Sequence, residues 1–196
     1  MKIKLIMASA AMMALAACGD GTDNVADNMA MNDVAMDPMA ADSNAISDPI
    51  PANGQQFAMM AAASDMYEIE AGRLAAEKSQ NAGIKELAAM IVTDHEKATA
   101  GLKTAAAAAT PAITVTPAMN PEQTAMIAAL RSANGTAFDR AYIDQQVMAH
   151  QKALTLLQGY SVNGEMPGLK AHAAAATAPV QQHLERAQQL QQQLPQ

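Results

Sequence analysis

Hydrophobic residues recur every three or four positions from about residue 54 onwards, which is the spacing typical of amphipathic α-helices. Asn53 precedes the first such run and has Gln56 three residues later, the spacing of a helix-capping box. A polar break at 81–83 separates this helix from a second one. The proline-rich stretch 110–117 cannot be helical, so the pattern predicts a helical hairpin followed by a long connection.

A short helix is predicted within this connection. Asn120 and Pro121 start it, because proline is favoured at the first helical position, and Asn134-Gly135 ends it. The spacing from Thr136 to the acidic residue at 139 then indicates another capping box, which opens a third long helix.

The second half of the chain predicts another helical hairpin. Asn163-Gly164 closes the third long helix, and a last helix runs from about Pro167 to Leu194 with a kink expected at Pro179. Four long amphipathic helices in two hairpins, with a short extra helix in the long crossover, indicate an all-α fold. The expected architecture over residues 54–196 is a ferritin-like four-helix bundle.

The first 17 residues have the pattern of an export signal. The basic stretch 1–4 precedes an apolar run over 5–17 that is too short to span a bilayer. The run ends in Leu-Ala-Ala-Cys, where Cys18 is the only cysteine, and this resembles the lipobox of bacterial lipoproteins. The resemblance implies an acylated Cys18 that anchors the chain to the membrane, and Gly19 implies sorting to the outer membrane. An ordinary signal peptide with a chance cysteine is the alternative.

Residues 18–53 are predicted to be a disordered acidic tether, because they contain seven aspartates, no basic residue and no apolar periodicity. The formal net charge is −7 and no Lys/Arg cluster occurs, so a nucleic-acid partner is not expected. The pairs Met29/Met31 and Met36/Met39 are soft ligands that suit Cu(I), although low-complexity composition explains them equally well.

Several stretches of the helical body stand in a distinctive order and spacing: Tyr67–Ala75, Met90–His95, Phe138–Tyr142, His150, and Pro179 with His183-Leu184. In their order and spacing they are similar to domain-of-unknown-function family 4142, a set of envelope proteins placed among the ferritin-like folds. The resemblance covers about residues 54–194 and implies a ferritin-like bundle exported to the periplasm. The family has no assigned activity, so the resemblance implies no function.

Each long helix places a polar residue on its apolar face: Glu68, His95, His150 and His183. A buried carboxylate or imidazole must be paired, ligated or neutralised. Glu68 and His95 each lie about 13 residues from the 81–82 turn, so they are expected at one height and in contact. The same count from a turn at 162–163 predicts that His150 and His183 are staggered by roughly 10 Å.

Two interpretations of these four residues stay open. In the first, Glu68 and His95 form a mononuclear site for iron, manganese, zinc or copper together with one or both of His150 and His183. In the second, the Glu68–His95 pair is structural and fixes the helix register. A ferritin-type di-iron centre is not expected, because the sequence contains no Glu-x-x-His motif.

Other polar residues near these positions are expected outside the site. Asp139 reads as a helix cap and His172 as a surface or edge residue. Asp65 falls outside the apolar stripe of the first helix, and Asp94 lies at the border of the second stripe, where solvent reaches it.

Three functions are compatible with this pattern. The first is an envelope lipoprotein whose helical bundle, of unassigned activity, binds one transition-metal ion. The second is a non-metal structural or interaction module of the envelope. The third is hydrolytic or redox catalysis at the Glu/His residues; it is the least favoured, because the sequence has no phosphate loop and no nucleophile motif. Metal content separates the first two, and an open cleft reaching Glu68 would favour the third.

Overall fold

The computed structural model describes residues 50–195, and this part of the chain forms five α-helices and no β-strand. Four helices are long and one is short. They are α1 (Gly54–Lys78), α2 (Ala82–Ala107), α3 (Pro121–Ser132), α4 (Gly135–Asn163) and α5 (Pro167–Gln193).

The long helices form a bundle of two hairpins. Helix α1 packs on α2, and α4 packs on α5. The hairpins meet through contacts of α2 with α5 and of α1 with α4, while the short α3 covers α1 and α4 from the crossover. The predicted all-α fold, with four long helices and a short extra helix in the long connection, is confirmed.

Most predicted helix ends are confirmed by their capping contacts. The Asn53 side chain accepts a hydrogen bond from the Gln56 amide at 3.1 Å. Asn120 and Gln123 form a complete capping box, with N···O distances of 2.8 and 2.9 Å. Helix α5 continues through Pro179. These caps satisfy amide groups that the first helical turn leaves without partners.

The predicted capping box at the start of α4 is wrong. Helix α4 begins at Gly135, which has a φ of 57°, and Asn134 is its N-cap. The left-handed conformation of Gly135 lets the chain turn from α3 into α4 over Ala133 and Asn134. Asp139 therefore lies inside the helix, where it is buried rather than capping.

The apolar core consists of two clusters at opposite ends of the bundle. The first, here the α4–α5-turn cluster, is centred on the stacked rings of Phe57 and Tyr160, whose centroids are 3.8 Å apart. The second, the α1–α2-turn cluster, contains Ile84, Leu87 and Phe138. Between the two clusters, each long helix contributes buried polar side chains.

The predicted signal peptide and Cys18 lie outside the described residues, as does nearly all of the predicted tether. The last tether residues contact the bundle: Pro51 is buried, and the Ala52 carbonyl accepts a hydrogen bond from the Glu165 amide at 3.2 Å. Within residues 50–195, no helix is both long and apolar enough to cross a membrane.

Candidate metal site

All four predicted site residues are buried at the middle of the bundle. Glu68, His95, His150 and His183 are each no more than 4% exposed. Each comes from a different long helix, at the point where the chain passes from one apolar cluster to the other. We call these four residues, together with Asp65 and Gln146, the polar layer.

The three imidazole rings of the polar layer converge. Their centroids are 5.3 to 5.7 Å apart, and one ring nitrogen of each lies within 4.8 Å of the others. The predicted stagger of His150 and His183 is therefore wrong. His150 lies 13 residues before the end of α4 and His183 lies 16 residues after the start of α5. The loop residues between the two helices add no height, so the offset falls to roughly 5 Å.

The outward-facing nitrogen of each ring has a hydrogen-bond acceptor. His95 Nδ1 lies 2.8 Å from Asp65 Oδ1, and His183 Nε2 lies 3.2 Å from Asp94 Oδ2. His150 Nδ1 lies 2.9 Å from the Gln146 carbonyl oxygen. An acceptor at one nitrogen holds the proton there, so it fixes the tautomer and leaves a lone pair on the other nitrogen.

The remaining nitrogens have no such partner. His95 Nε2, His150 Nε2 and His183 Nδ1 are buried and make no hydrogen bond within the described part of the chain. A buried polar atom without a partner costs on the order of 1–3 kcal/mol. A single cation among the three rings would satisfy all three lone pairs, and neutral imidazoles are ligands for zinc, copper, iron and nickel.

The electrostatics favour the neutral, ligand-competent form of two of the three rings, His150 and His183. Burial holds the pKa of His150 well below its ordinary value, and His95 and His183 nearby lower it further. Burial also lowers the pKa of His183. For His95, burial alone lowers the pKa, but the hydrogen bond with Asp65 and the charge of Glu68 outweigh it and the net shift is upward. Two of the three rings are therefore unprotonated at neutral pH.

Glu68 is in the polar layer but is not the hydrogen-bond partner of His95. Its Oε1 lies 3.6 Å from His150 Nδ1, and neither carboxyl oxygen makes a hydrogen bond to the described residues. Burial raises the pKa of Glu68 to about 7, although the charge of His95 opposes this shift. The carboxyl group thus has a pKa near neutrality and lies next to the His150 nitrogen that contacts the Gln146 carbonyl.

The carboxylate that contacts His95 is Asp65, which the helical-wheel prediction placed outside the apolar stripe. Asp65 is only 7% exposed, because α1 is covered by α2, α3 and α4 and its buried face is correspondingly broad. Its Oδ2 also accepts a hydrogen bond from Thr99 at 3.0 Å. A sequence signal existed: Asp65 precedes Glu68 by three residues, so the two share one side of the helix.

The expected solvation of Asp94 is only half correct. Its side chain is 31% exposed, and it contacts Lys97 on the outside and His183 on the inside. The hydrogen bonds from Lys97 and His183 lower its pKa, although partial burial opposes them. His172 is half-buried on α5. Asp94 and His172, like Asp65, belong to the surroundings of the site.

A cavity of about 270 Å³ adjoins the three-histidine cluster. His95 and His183 form part of its wall, together with Asp65 and Asp94. The rest of the wall is mostly alanine and other apolar residues, and His172 also lines it. Exposed Lys97 also lines the cavity, so its wall extends from the buried imidazoles to the surface.

Solved structures of CopM are similar to this chain in fold. The structure described as CopM in the Cu(II)-bound form has a TM-score of 0.61 at 22% identity, covering 72% of this chain and 97% of that one. The Cu(I)-bound form has a TM-score of 0.60 at 22% identity, with 72% and 96% coverage. The Ag-bound form has a TM-score of 0.60 at 23% identity, again with 72% and 96% coverage.

No curated protein matches the sequence. A family model described as a domain of unknown function, DUF4142, matches residues 35–190. This range includes α1 to α4, α5 up to residue 190, and the whole polar layer. The chain belongs to the DUF4142 family.

Proposed function

We propose that the bundle binds a single transition-metal ion through His95, His150 and His183. The observation that carries this proposal is the convergence of three buried imidazoles whose inner nitrogens have no partner within residues 50–195. Their outer nitrogens are held by Asp65, Asp94 and a backbone carbonyl. This arrangement resembles the outer-shell support that metal-binding histidines have in proteins.

Copper is the ion that we propose. Among divalent first-row metals, nitrogen ligands generally bind Cu(II) most tightly, and imidazole suits copper in either oxidation state. The CopM structures of similar fold were obtained with Cu(I), Cu(II) and Ag. This likeness supports copper as the first ion to test. Glu68, whose pKa lies near 7, is available as a fourth ligand once it is ionised.

The test is a titration of the metal-free protein with Cu(II), followed by equilibrium competition with a chelator. We expect one ion per chain at the site. Single His95→Ala, His150→Ala and His183→Ala variants should each weaken binding, and the triple variant should abolish it. Any copper that the triple variant still binds is held outside this site, for example by Cys18 or the N-terminal methionines. His172→Ala is the matched control and should leave the equilibrium affinity unchanged.

A structural role of the polar layer is the second candidate, favoured by the hydrogen bonds that link helices. Asp65–His95 joins α1 to α2, and Asp94–His183 joins α2 to α5. If equal binding by the wild type and the triple variant shows that the imidazoles take up no ion, the layer fixes helix register instead. In that case the triple variant should be destabilised with or without chelator.

We also propose that the chain is an envelope lipoprotein anchored through Cys18 in the outer membrane. The lone cysteine after Leu-Ala-Ala and the following Gly19 support this placement. Labelled fatty acid should be incorporated into the wild type and lost from Cys18→Ser, which should leave the outer-membrane fraction. Unchanged fractionation of the variant, or no labelling of the wild type, would contradict the proposal.

A further inference from the structure

The cavity reaches the three-histidine cluster on the side of His95 and His183. His95 and His183 line it, whereas His150 and Glu68 are not among the described residues of its wall. Above and below the polar layer, the two apolar clusters fill the bundle. Within residues 50–195, this cavity is therefore the open space through which an ion bound among the three rings could meet solvent.

One face of α5 carries electron-pair donors along the cavity. His172 precedes His183 by eleven residues, which is three helical turns, so both lie on the same face. Between them, Pro179 has no N–H group, so the Ala175 carbonyl lacks its usual helical donor. His172, Ala175, Pro179 and His183 all line the cavity.

The opposite wall carries two carboxylates and one ammonium group, that of Lys97, which lies 3.2 Å from Asp94, so negative charge exceeds positive charge there. The carboxyl groups of Asp65 and Asp94 line the cavity from α1 and α2. Asp65 is close enough to His172 to oppose the lowering of the pKa of His172 by burial. A cation inside the cavity would thus have the imidazole of His172 and two carboxylates beside it, next to His95 and His183.

We infer that this cavity is the route by which the metal ion enters and leaves the site, with His172 as a transient ligand on the way. The inference rests on the proposed function and adds a kinetic role that equilibrium binding does not require. A substitution that affects only this route changes the free-energy barrier that the ion crosses in both directions. It should therefore slow loading and release by the same factor and leave Kd unchanged.

Two neighbouring alanines provide a matched test. Ala174 and Ala175 are both exposed on α5, but only Ala175 lines the cavity. In the full chain, Ala175→Phe should slow Cu(II) loading and its release to EDTA by about tenfold, which corresponds to about 1.4 kcal/mol in the barrier. Ala174→Phe should behave as the wild type. His172→Leu should slow both rates without changing Kd, and it keeps a side chain of similar bulk.

Four outcomes are decisive. Slower exchange in Ala175→Phe and His172→Leu, with unchanged Kd, supports the route. Wild-type rates in both variants overturn it while copper binding itself stands, and a weaker Kd in His172→Leu makes His172 a resident ligand, which also overturns the transient role. Absence of copper at the three histidines in the wild type removes the proposed function as well, and the equilibrium titration identifies that case separately.

Discussion

At the scale of single residues, Asp65 has the clearest indirect effect on the site. One carboxyl oxygen of Asp65 accepts a hydrogen bond from the Thr99 hydroxyl, and the other contacts His95 Nδ1. Its charge therefore fixes the ring so that Nε2 faces the other imidazoles. Removing such a partner typically costs 10–100-fold in metal affinity, because the ring loses both its orientation and part of its basicity.

We expect Asp65→Asn to weaken Cu(II) binding by about 10–100-fold in chelator competition. The ring remains present, so one ion per chain should still bind at high copper concentration. Asp144→Asn on the exposed side of α4 is the control and should bind as the wild type. An unchanged affinity in Asp65→Asn would mean that the Asp65–His95 contact does not orient a ligand.

Glu68 gives the metal-free protein a specific dependence on pH. Its folded-state pKa of about 7 lies above the ordinary value of 4.5, so ionisation is less favourable in the folded protein. The protonated Glu68 therefore contributes fully to the free energy of unfolding below pH 4.5, and this contribution is lost as the pH rises through 7. Glu68→Gln cannot ionise and should not show this loss.

Urea denaturation of chelator-treated protein at pH 4.5 and pH 8 measures the difference. Between these pH values, the wild type should lose on the order of 3 kcal/mol relative to Glu68→Gln. Glu77→Gln, an exposed change on the same helix, should follow the wild type. Parallel behaviour of wild type and Glu68→Gln would mean that water reaches the carboxyl group in solution.

At the scale of helices, the sequence correctly predicted which helices exist and in what order they follow. Capping residues and prolines determine where a helix starts or ends through contacts with their neighbours in sequence. Asn53, Asn120 and the proline-rich connection each determine a boundary with their immediate neighbours. The prediction was wrong where distant parts of the chain decide the outcome. Asp65 is buried because three helices cover α1, and His150 meets His183 because the α4–α5 loop does not add height.

Close contact of α1 and α2 makes Gly72 sensitive to substitution. A Cβ atom there would lie 2.7 Å from Val92 Cγ2 and 3.2 Å from the Ala88 carbonyl oxygen. Gly72→Ala should therefore destabilise the bundle by about 1–3 kcal/mol through overpacking. At Gly101 in α2 the nearest atom is 3.4 Å away, so Gly101→Ala should stabilise by roughly 0.5–1 kcal/mol. Equal effects of the two substitutions in thermal unfolding would contradict this difference in packing.

At the scale of the whole molecule, the proposed ion would join α2, α4 and α5 by bonds to one atom. A ligand that binds only the folded state stabilises that state by about 2.7 kcal/mol when the free ligand concentration is 100 times Kd. We expect Cu(II) to raise Tm, with the increase growing with the logarithm of the copper concentration and disappearing on chelation. The triple His→Ala variant should melt at one temperature under all these conditions.

The division of the core by a polar layer has a consequence for backbone hydrogen exchange. Helices usually fray at their ends and protect the amides at their centres. Here the helix ends are packed in two apolar clusters, whereas the centres surround side-chain atoms that lack partners within the described residues. In the metal-free protein, amides near Glu68, His95 and His150 should therefore exchange faster than those near Phe57 or Leu87. Copper should reverse this order, so the middle of the bundle becomes its slowest-exchanging part only when the ion is bound.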